Sequence, residues 1–313
     1  MARTQHRTTA AQDRRSATMR RALRREAAGT VGLLADPADF AAMRRYRTFT
    51  FDDHTAYLRQ IEAVLRSLAA EGAHTTVALF DPKEYAEFCA DHAIDPDSPA
   101  ARSRFTAELA RTGATVAYAG QPIAHLVPQL VSRAVRNATR DYATMLLAEL
   151  GACADCGQDI GRAAFDRASH LLLRLLQGAG PGTHHLVCST PARDDHLLAV
   201  LHTEQAAPPT EPDAPGPPTV LSPDHATEFA TVLAVGVALD SRGGVVLRSM
   251  LPGAPDRVHG WRLVGGSLVP LTEAEVFAAY CTDADTGDPL APEPGVQYRA
   301  GFDLGADEPE PHR

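Results

Sequence analysis

Aromatic residues, lysine and long apolar runs are all scarce in this 313-residue chain. Aromatic residues make up 6% of the sequence, with Trp261 the single tryptophan and Lys83 the single lysine. No apolar run approaches the ~20 residues that a membrane-spanning helix needs, so we expect no membrane span. No sustained apolar segment follows the Arg-Arg pairs of the first 25 residues, which argues against a secretory signal. We therefore expect a cytoplasmic protein whose cysteines are reduced.

Charge is distributed unevenly along the chain, although the net charge is only -9. Residues 1–28 form a basic arm without hydrophobic periodicity, which predicts disorder, whereas residues 307–313 form an acidic tail. An acidic protein repels an extended phosphate backbone, so nucleic acid could bind only through the arginine-rich arm. A hydrophobic content of 44% is enough for a folded core between these ends.

The hydrophobic pattern predicts an α/β fold with a short parallel-sheet core and flanking helices. The apolar run Thr75–Phe80 predicts a buried strand, and Ala114–Ala119 predicts a second. Between them, Asp81-Pro82 and Ser98-Pro99 each begin a predicted helix, because a capping side chain followed by proline is typical of helix starts. We expect the two strands to pair in parallel through a right-handed crossover.

A proline-rich run predicts the main domain boundary. Residues 205–222 contain six prolines between 207 and 218, which favours a semi-extended linker. The linker would join an α/β domain at 29–204 to a smaller α+β module at 223–306. Within that module, Ala230–Leu239 is an apolar run that we interpret as a strand.

A knuckle-like pattern of cysteines predicts a structural zinc ion. Three of the five cysteines fall in one stretch, where Cys153-Ala154-Asp155-Cys156-Gly157 precedes a second group of possible ligands, His184, His185 and Cys188. The first unit is similar to the knuckles of zinc ribbons, and the predicted ligands are Cys153, Cys156, Cys188 and one histidine, preferably His185. The alternative is a helix–helix turn containing two cysteines, with Cys188 a small buried side chain.

Two other positions could carry chemistry. Asp81 follows a predicted buried strand, where open α/β sheets place their ligands, but its Asp-Pro-x-Glu context also explains it as a helix cap. Cys188-Ser189-Thr190 lies close to histidines in sequence but lacks the glycine-flanked turn of a nucleophile elbow. No glycine-rich phosphate loop is present.

Composition and motifs together favour a binding or regulatory protein that engages a protein partner and is stabilised by one structural zinc. The alternative is an enzyme, acting on a small molecule or nucleotide, with its pocket at the carboxyl end of the Thr75–Asp81 strand. An enzyme should have titratable groups converging on a pocket at Asp81, whereas a cap with no cleft favours binding.

Overall fold

The computed structural model describes residues 29–193, 195–205, 220–283 and 286–305. The predicted basic arm, most of the proline-rich run and the acidic tail lie outside these residues. The chain divides into two compact units, one ending at Asn137 and the other beginning at Ala138.

The first unit contains a small sheet surrounded by helices. Its elements in chain order are β1 (Thr30–Leu33), α1 (Pro37–Met43), α2 (His54–Ala70), β2 (Thr76–Leu79), α3 (Pro82–Asp91), α4 (Pro99–Thr112), β3 (Thr115–Ala117) and the first part of α5 (Ile123–Glu149). A cluster of buried aliphatic and aromatic side chains fills the space between sheet and helices, including Leu33, Ile61, Val77 and Tyr85. The mixed α/β class predicted from the sequence is confirmed.

The sheet of the first unit has the order β1-β2-β3. Strands β1 and β2 are parallel, with Thr30 opposite Thr76 and Leu33 opposite Leu79. Strand β3 is antiparallel to β2, so the predicted parallel pairing of these two strands is wrong. Helices α3 and α4 lie between these strands in sequence and return the chain to the end of the sheet where β2 finishes, so β3 runs back along β2.

Several helix boundaries match the sequence prediction because their caps are local. Asp53 begins α2 by accepting a hydrogen bond from the backbone N–H of Ala56 at 2.7 Å. Ser98 begins α4 with its side chain bonded to the N–H of Ala100. Pro128 lies within α5, which continues through it to Glu149.

The second unit packs helices against a larger sheet. It contains the rest of α5 and the elements α6 (Ile160–Ala179), β4 (Gly182–Ala192), β5 (Asp195–Gln205), β6 (Val220–Leu221), α7 (Pro223–Leu239), β7 (Gly244–Met250), β8 (Asp256–Val264), β9 (Ser267–Pro270), α8 (Glu273–Tyr280) and β10 (Val296–Tyr298). The strand order is β10-β8-β7-β4-β5-β6, and β9 pairs with β8. Strands β4 and β5 form one antiparallel hairpin, and β8 and β9 form another.

One sheet crosses the predicted domain boundary. Strand β4, which precedes the proline-rich run, pairs antiparallel with β7, which follows it. The structure therefore does not separate residues 29–204 from residues 223–306. It places the division at 137/138, inside α5, where the sequence has no break in helical pattern.

The predicted strand Ala230–Leu239 is wrong, because these residues belong to helix α7. Every residue from Glu228 to Gly236 is buried, so the helix has no polar face that would reveal a period of 3.6 residues. A helix that is buried on all sides has a continuous apolar sequence, which cannot be distinguished from that of a buried strand by periodicity alone.

None of the helices among the described residues combines the length and the apolar character needed to cross a membrane.

Candidate functional site

Asp81 acts as the N-cap of α3. Its Oδ1 accepts hydrogen bonds from the backbone N–H groups of Lys83 at 2.6 Å and Glu84 at 3.3 Å. The side chain is exposed, just beyond the end of β2. Two of the orphan N–H groups at the start of the helix are satisfied in this way. The structure thus explains this residue as a cap.

Asp81 also belongs to an acidic cluster that the sequence analysis missed. Asp36 caps α1 as Asp81 caps α3, and each helix carries a second acid three residues after its cap, Asp39 and Glu84. Burial and the charge of Asp81 raise the pKa of Asp39 and of Glu84. Because β1 and β2 are parallel, both caps follow the carboxyl ends of neighbouring strands.

A repeated pattern in the sequence could have revealed this cluster. The segment 36–41 reads Asp-Pro-Ala-Asp-Phe-Ala, and the segment 81–86 reads Asp-Pro-Lys-Glu-Tyr-Ala. The shared proline fixes the first helical residue, and the shared aromatic residue is buried in both helices. Two similar helix starts after parallel strands therefore bring four carboxylates to one edge of the sheet.

The four residues predicted to bind zinc are not brought together. His185 and Cys188 lie three residues apart on β4, so their side chains point to opposite faces of the sheet. Cys188 is fully buried in the core of the second unit, and this burial raises the pKa of its thiol to about 12. Across the described parts of the chain, no group of three or more His, Cys, Asp or Glu side chains is arranged to hold a metal ion.

His185 instead pairs with another histidine. It lies directly opposite His202 on β5, and the ring centroids are 4.0 Å apart with the rings perpendicular. Burial, His202 and Arg248 together lower the pKa of His185. The neighbouring His184 faces the interior, where its ring contacts the hydroxyl of Ser249 at 2.9 Å and the carbonyl of Gly180 at 2.8 Å. Both histidines are thus engaged within the sheet.

The loop between α5 and α6 does form a knuckle-like turn around Cys153 and Cys156. The Cys153 thiol is buried, and that of Cys156 is exposed. Hydrogen bonds from the backbone N–H groups of Cys156 and Asp155 lower the pKa of Cys153. The sequence therefore identified a real local structure, although the rest of the predicted ligand set lies elsewhere.

A serine and a histidine meet on the hairpin β4–β5. The Oγ of Ser189 and the Nε2 of His196 are 2.5 Å apart, on the exposed side of the sheet. The carboxylate of Asp195 accepts a hydrogen bond from the backbone N–H of His196, a contact that does not involve the imidazole ring. Ser189 lies inside a regular strand and not on the glycine-flanked turn of a nucleophile elbow.

An open groove of about 590 Å³ lies within the first unit, between β3 and α5. The residues that line it are Thr115, Val116, Pro128, Gln129, Ser132, Arg133 and Arg136. The helical residues fall at spacings of three and four, so they form one face of α5. Thr115 and Val116 are consecutive on a strand and point to opposite faces, so a groove lined by both follows the edge of β3.

The groove combines positive charge with apolar surface. Arg133 and Arg136 are half-buried, and the Nε atom of each is shielded from solvent. No aspartate or glutamate is found among its described lining residues, although the whole chain is acidic. Strand β3 is an edge strand in the described sheet, with β2 as its neighbour on one side. This groove could not be predicted from the sequence, because only the folded chain brings its two walls together.

Comparison with known protein families gives a match over about a third of the chain. Residues 18–121 match a family described as a domain of unknown function (DUF8829). The matched segment includes the acidic cluster and β3 but ends before α5. No curated protein and no solved structure matches the chain.

Proposed function

We propose that this protein is a binding protein, and that its first unit takes up an extended acidic segment of a partner protein in the groove between β3 and α5. The observation that carries this proposal is the pair of half-buried arginines beside apolar side chains in an open groove along β3. Arginine presents a planar fork of donors that suits a carboxylate, and it is enriched at protein interfaces.

The edge of β3 supports an extended rather than a helical occupant. A segment lying along an edge strand can add its own backbone hydrogen bonds to the sheet, which provides affinity that does not depend on sequence. Val116 and Pro128 supply apolar contact, and Arg133 and Arg136 select for acidic side chains. The groove is open, which fits a segment of chain better than an enclosed small molecule.

Selection from a displayed peptide library, followed by fluorescence anisotropy titrations with the full chain, tests this function. We expect the selected peptides to be rich in aspartate and glutamate. A charged hydrogen bond contributes about 1.5–3 kcal/mol, reduced at a half-exposed site to about 1 kcal/mol. The double variant Arg133→Gln/Arg136→Gln should therefore weaken binding about thirtyfold.

The matched control is Arg44→Gln/Arg104→Gln, which removes the same two charges from exposed positions outside the groove. It should bind peptide as the unsubstituted chain does. If the control and the double variant lose affinity equally, attraction by overall charge explains binding and the groove does not. Selection of peptides without acidic residues would also contradict the proposal.

The alternative of an enzyme acting on a small molecule or nucleotide is favoured by the acidic cluster at the carboxyl ends of β1 and β2. Such an enzyme would use Asp81 together with Asp39. The pKa of Asp39 is raised by burial and by the nearby charge of Asp81. Capping already accounts for Asp81, so binding remains our first proposal. The variant Asp81→Asn distinguishes a catalytic carboxylate from a helix cap, because asparagine keeps the cap but removes the charge.

We also propose a cytoplasmic location, in which all five cysteines would stay as the free thiols that the structure shows. Nucleic-acid binding by the arginine-rich residues 1–28 stays a prediction, since those residues lie outside the described part of the chain. A zinc ion held by the full set Cys153, Cys156, His185 and Cys188 is not supported by the geometry of β4.

A further inference from the structure

Two histidines lie directly opposite each other on the larger sheet. His185 on β4 pairs in register with His202 on β5, and the ring centroids are 4.0 Å apart with the rings perpendicular. Residues directly opposite on antiparallel strands have Cβ atoms about 4.5–5.5 Å apart, so both side chains begin at neighbouring points of the sheet. The strand register therefore places the two imidazole rings side by side.

The histidine pair faces away from the hydrophobic core. Leu186 and Leu201, the adjacent residues on the same two strands, are fully buried in the core of the second unit. Because successive side chains of a strand point to opposite faces, His185 and His202 lie on the outer face of the sheet. His185 is partly buried there, and His202 is exposed. An ion in solution can therefore reach the pair.

The spacing of the two rings suits one shared metal ion. A metal–nitrogen bond of about 2.0–2.1 Å puts the ion about 3 Å from each ring centroid, and a right angle at the ion then separates the centroids by about 4.5 Å. The observed separation of 4.0 Å differs from this by an amount that small side-chain rotations provide. Strand β4 is paired with β5 on one side and β7 on the other, and both ladders include His185, so the backbone of this ligand is held in place.

The charges beside the pair are compatible with a bound cation. The other cross-strand neighbour of His185 is Arg248 on β7, whose guanidinium forms ion pairs with Asp256 at 2.6 Å and Glu293 at 2.9 Å. These three side chains carry one positive and two negative charges, so together they do not repel a cation. Burial, His202 and Arg248 lower the pKa of His185, although Asp256 opposes them, so its imidazole is neutral near pH 7. Neutral imidazole is the form that binds metal.

We propose that His185 and His202 together bind one divalent transition-metal ion on the outer face of this sheet, and that Cu²⁺ is bound most tightly. Imidazole nitrogen suits copper, nickel and zinc, and among these metals a given site generally prefers Cu²⁺. Two nitrogen ligands leave the remaining positions of a tetragonal Cu²⁺ ion to water, so the site is open to a further ligand. It lies in the second unit and does not depend on the function proposed for the groove.

Titration of the full chain with CuCl₂, followed by electron paramagnetic resonance, tests this inference. The variant Cys156→Ser serves as the parent chain throughout, because the exposed thiol of Cys156 would itself react with copper. Free glycine in the buffer competes for the ion, so that single histidines do not retain it. We expect one tightly bound Cu²⁺ per chain, with hyperfine coupling to two imidazole nitrogens.

Two variants and a matched control locate the ion. His185→Gln and His202→Gln should each weaken Cu²⁺ binding about a hundredfold, since loss of a group that merely orients a metal ligand already costs about 10–100-fold. The control His170→Gln removes an exposed histidine from α6 and should leave the affinity unchanged. Affinity that survives both substitutions, or that falls equally in the control, would overturn the inference. Coupling to a single nitrogen in the parent chain, or no tightly bound ion there, would overturn it without any histidine variant.

Discussion

A substitution that normally stabilises a helix should destabilise this protein at Gly178. This glycine is the penultimate residue of α6, and its φ is not in the left-handed region, so the backbone accepts alanine. A Cβ added there would overlap the ring of Phe302. Phe302 also packs edge-on against Trp261, with ring centroids 4.8 Å apart, and its carbonyl accepts the indole N–H at 3.0 Å. Gly178 therefore makes room for a chain segment near the end of the described structure.

The magnitude follows from two opposing effects. Alanine in place of glycine stabilises a helix by up to about 1 kcal/mol, whereas forcing an extra methyl group into a packed site costs about 1–3 kcal/mol. We expect Gly178→Ala to lower the free energy of unfolding by about 0.5–2 kcal/mol. With Phe302→Ala already present the overlap is gone, so the same substitution should be neutral or stabilising.

A double-mutant cycle measures this coupling. The free energy of unfolding is obtained from urea titrations followed by the fluorescence of Trp261 and by far-ultraviolet circular dichroism, because Phe302→Ala itself alters the surroundings of the tryptophan. A coupling energy of about 1–3 kcal/mol is expected. The packing of the 302 segment on α6 would be refuted if Gly178→Ala stabilised the unsubstituted chain, or if its effect were the same in both backgrounds.

The remaining predictions concern the cap and the histidine pair. Asp81→Ala should lower the free energy of unfolding by about 1 kcal/mol and Asp81→Asn by only a few tenths, as thermal melts will measure; equal losses would mean that the charge, not the cap, matters. Because the pKa of His185 is lowered in the folded state, its contribution to stability is present above the unfolded value near 6.5 and is lost as pH falls below it. The difference between urea midpoints at about pH 7.5 and about pH 5.5 should therefore shrink in His185→Gln, and an unchanged difference would show that other groups cause the acid sensitivity.

Local signals were read correctly from the sequence. Caps such as Asp53, Asp81 and Ser98 satisfy backbone groups within the next three residues, so a short window contains all the information. The capping box of α8 is equally local, since the side chains of Thr272 and Glu275 each hydrogen-bond the other residue's backbone N–H.

Non-local features could not be read in the same way. The direction of β3 depends on how two helices return the chain, and the pairing of β4 with β7 joins residues on both sides of the proline-rich run. The zinc prediction found the Cys153–Cys156 turn from spacing alone, but it did not apply the alternation of faces to His185 and Cys188. The groove has walls from β3 and α5 that only the folded chain brings together.

Amide hydrogen exchange at β3 tests the central claim, that an acidic partner segment pairs along this strand. Exchange of residues 115–117 is followed by mass spectrometry with and without a selected acidic peptide. The account predicts slower exchange at β3 and along the groove face of α5, and no such change in the variant Arg133→Gln/Arg136→Gln. Peptide binding that leaves β3 unprotected, or that protects another surface instead, would contradict it.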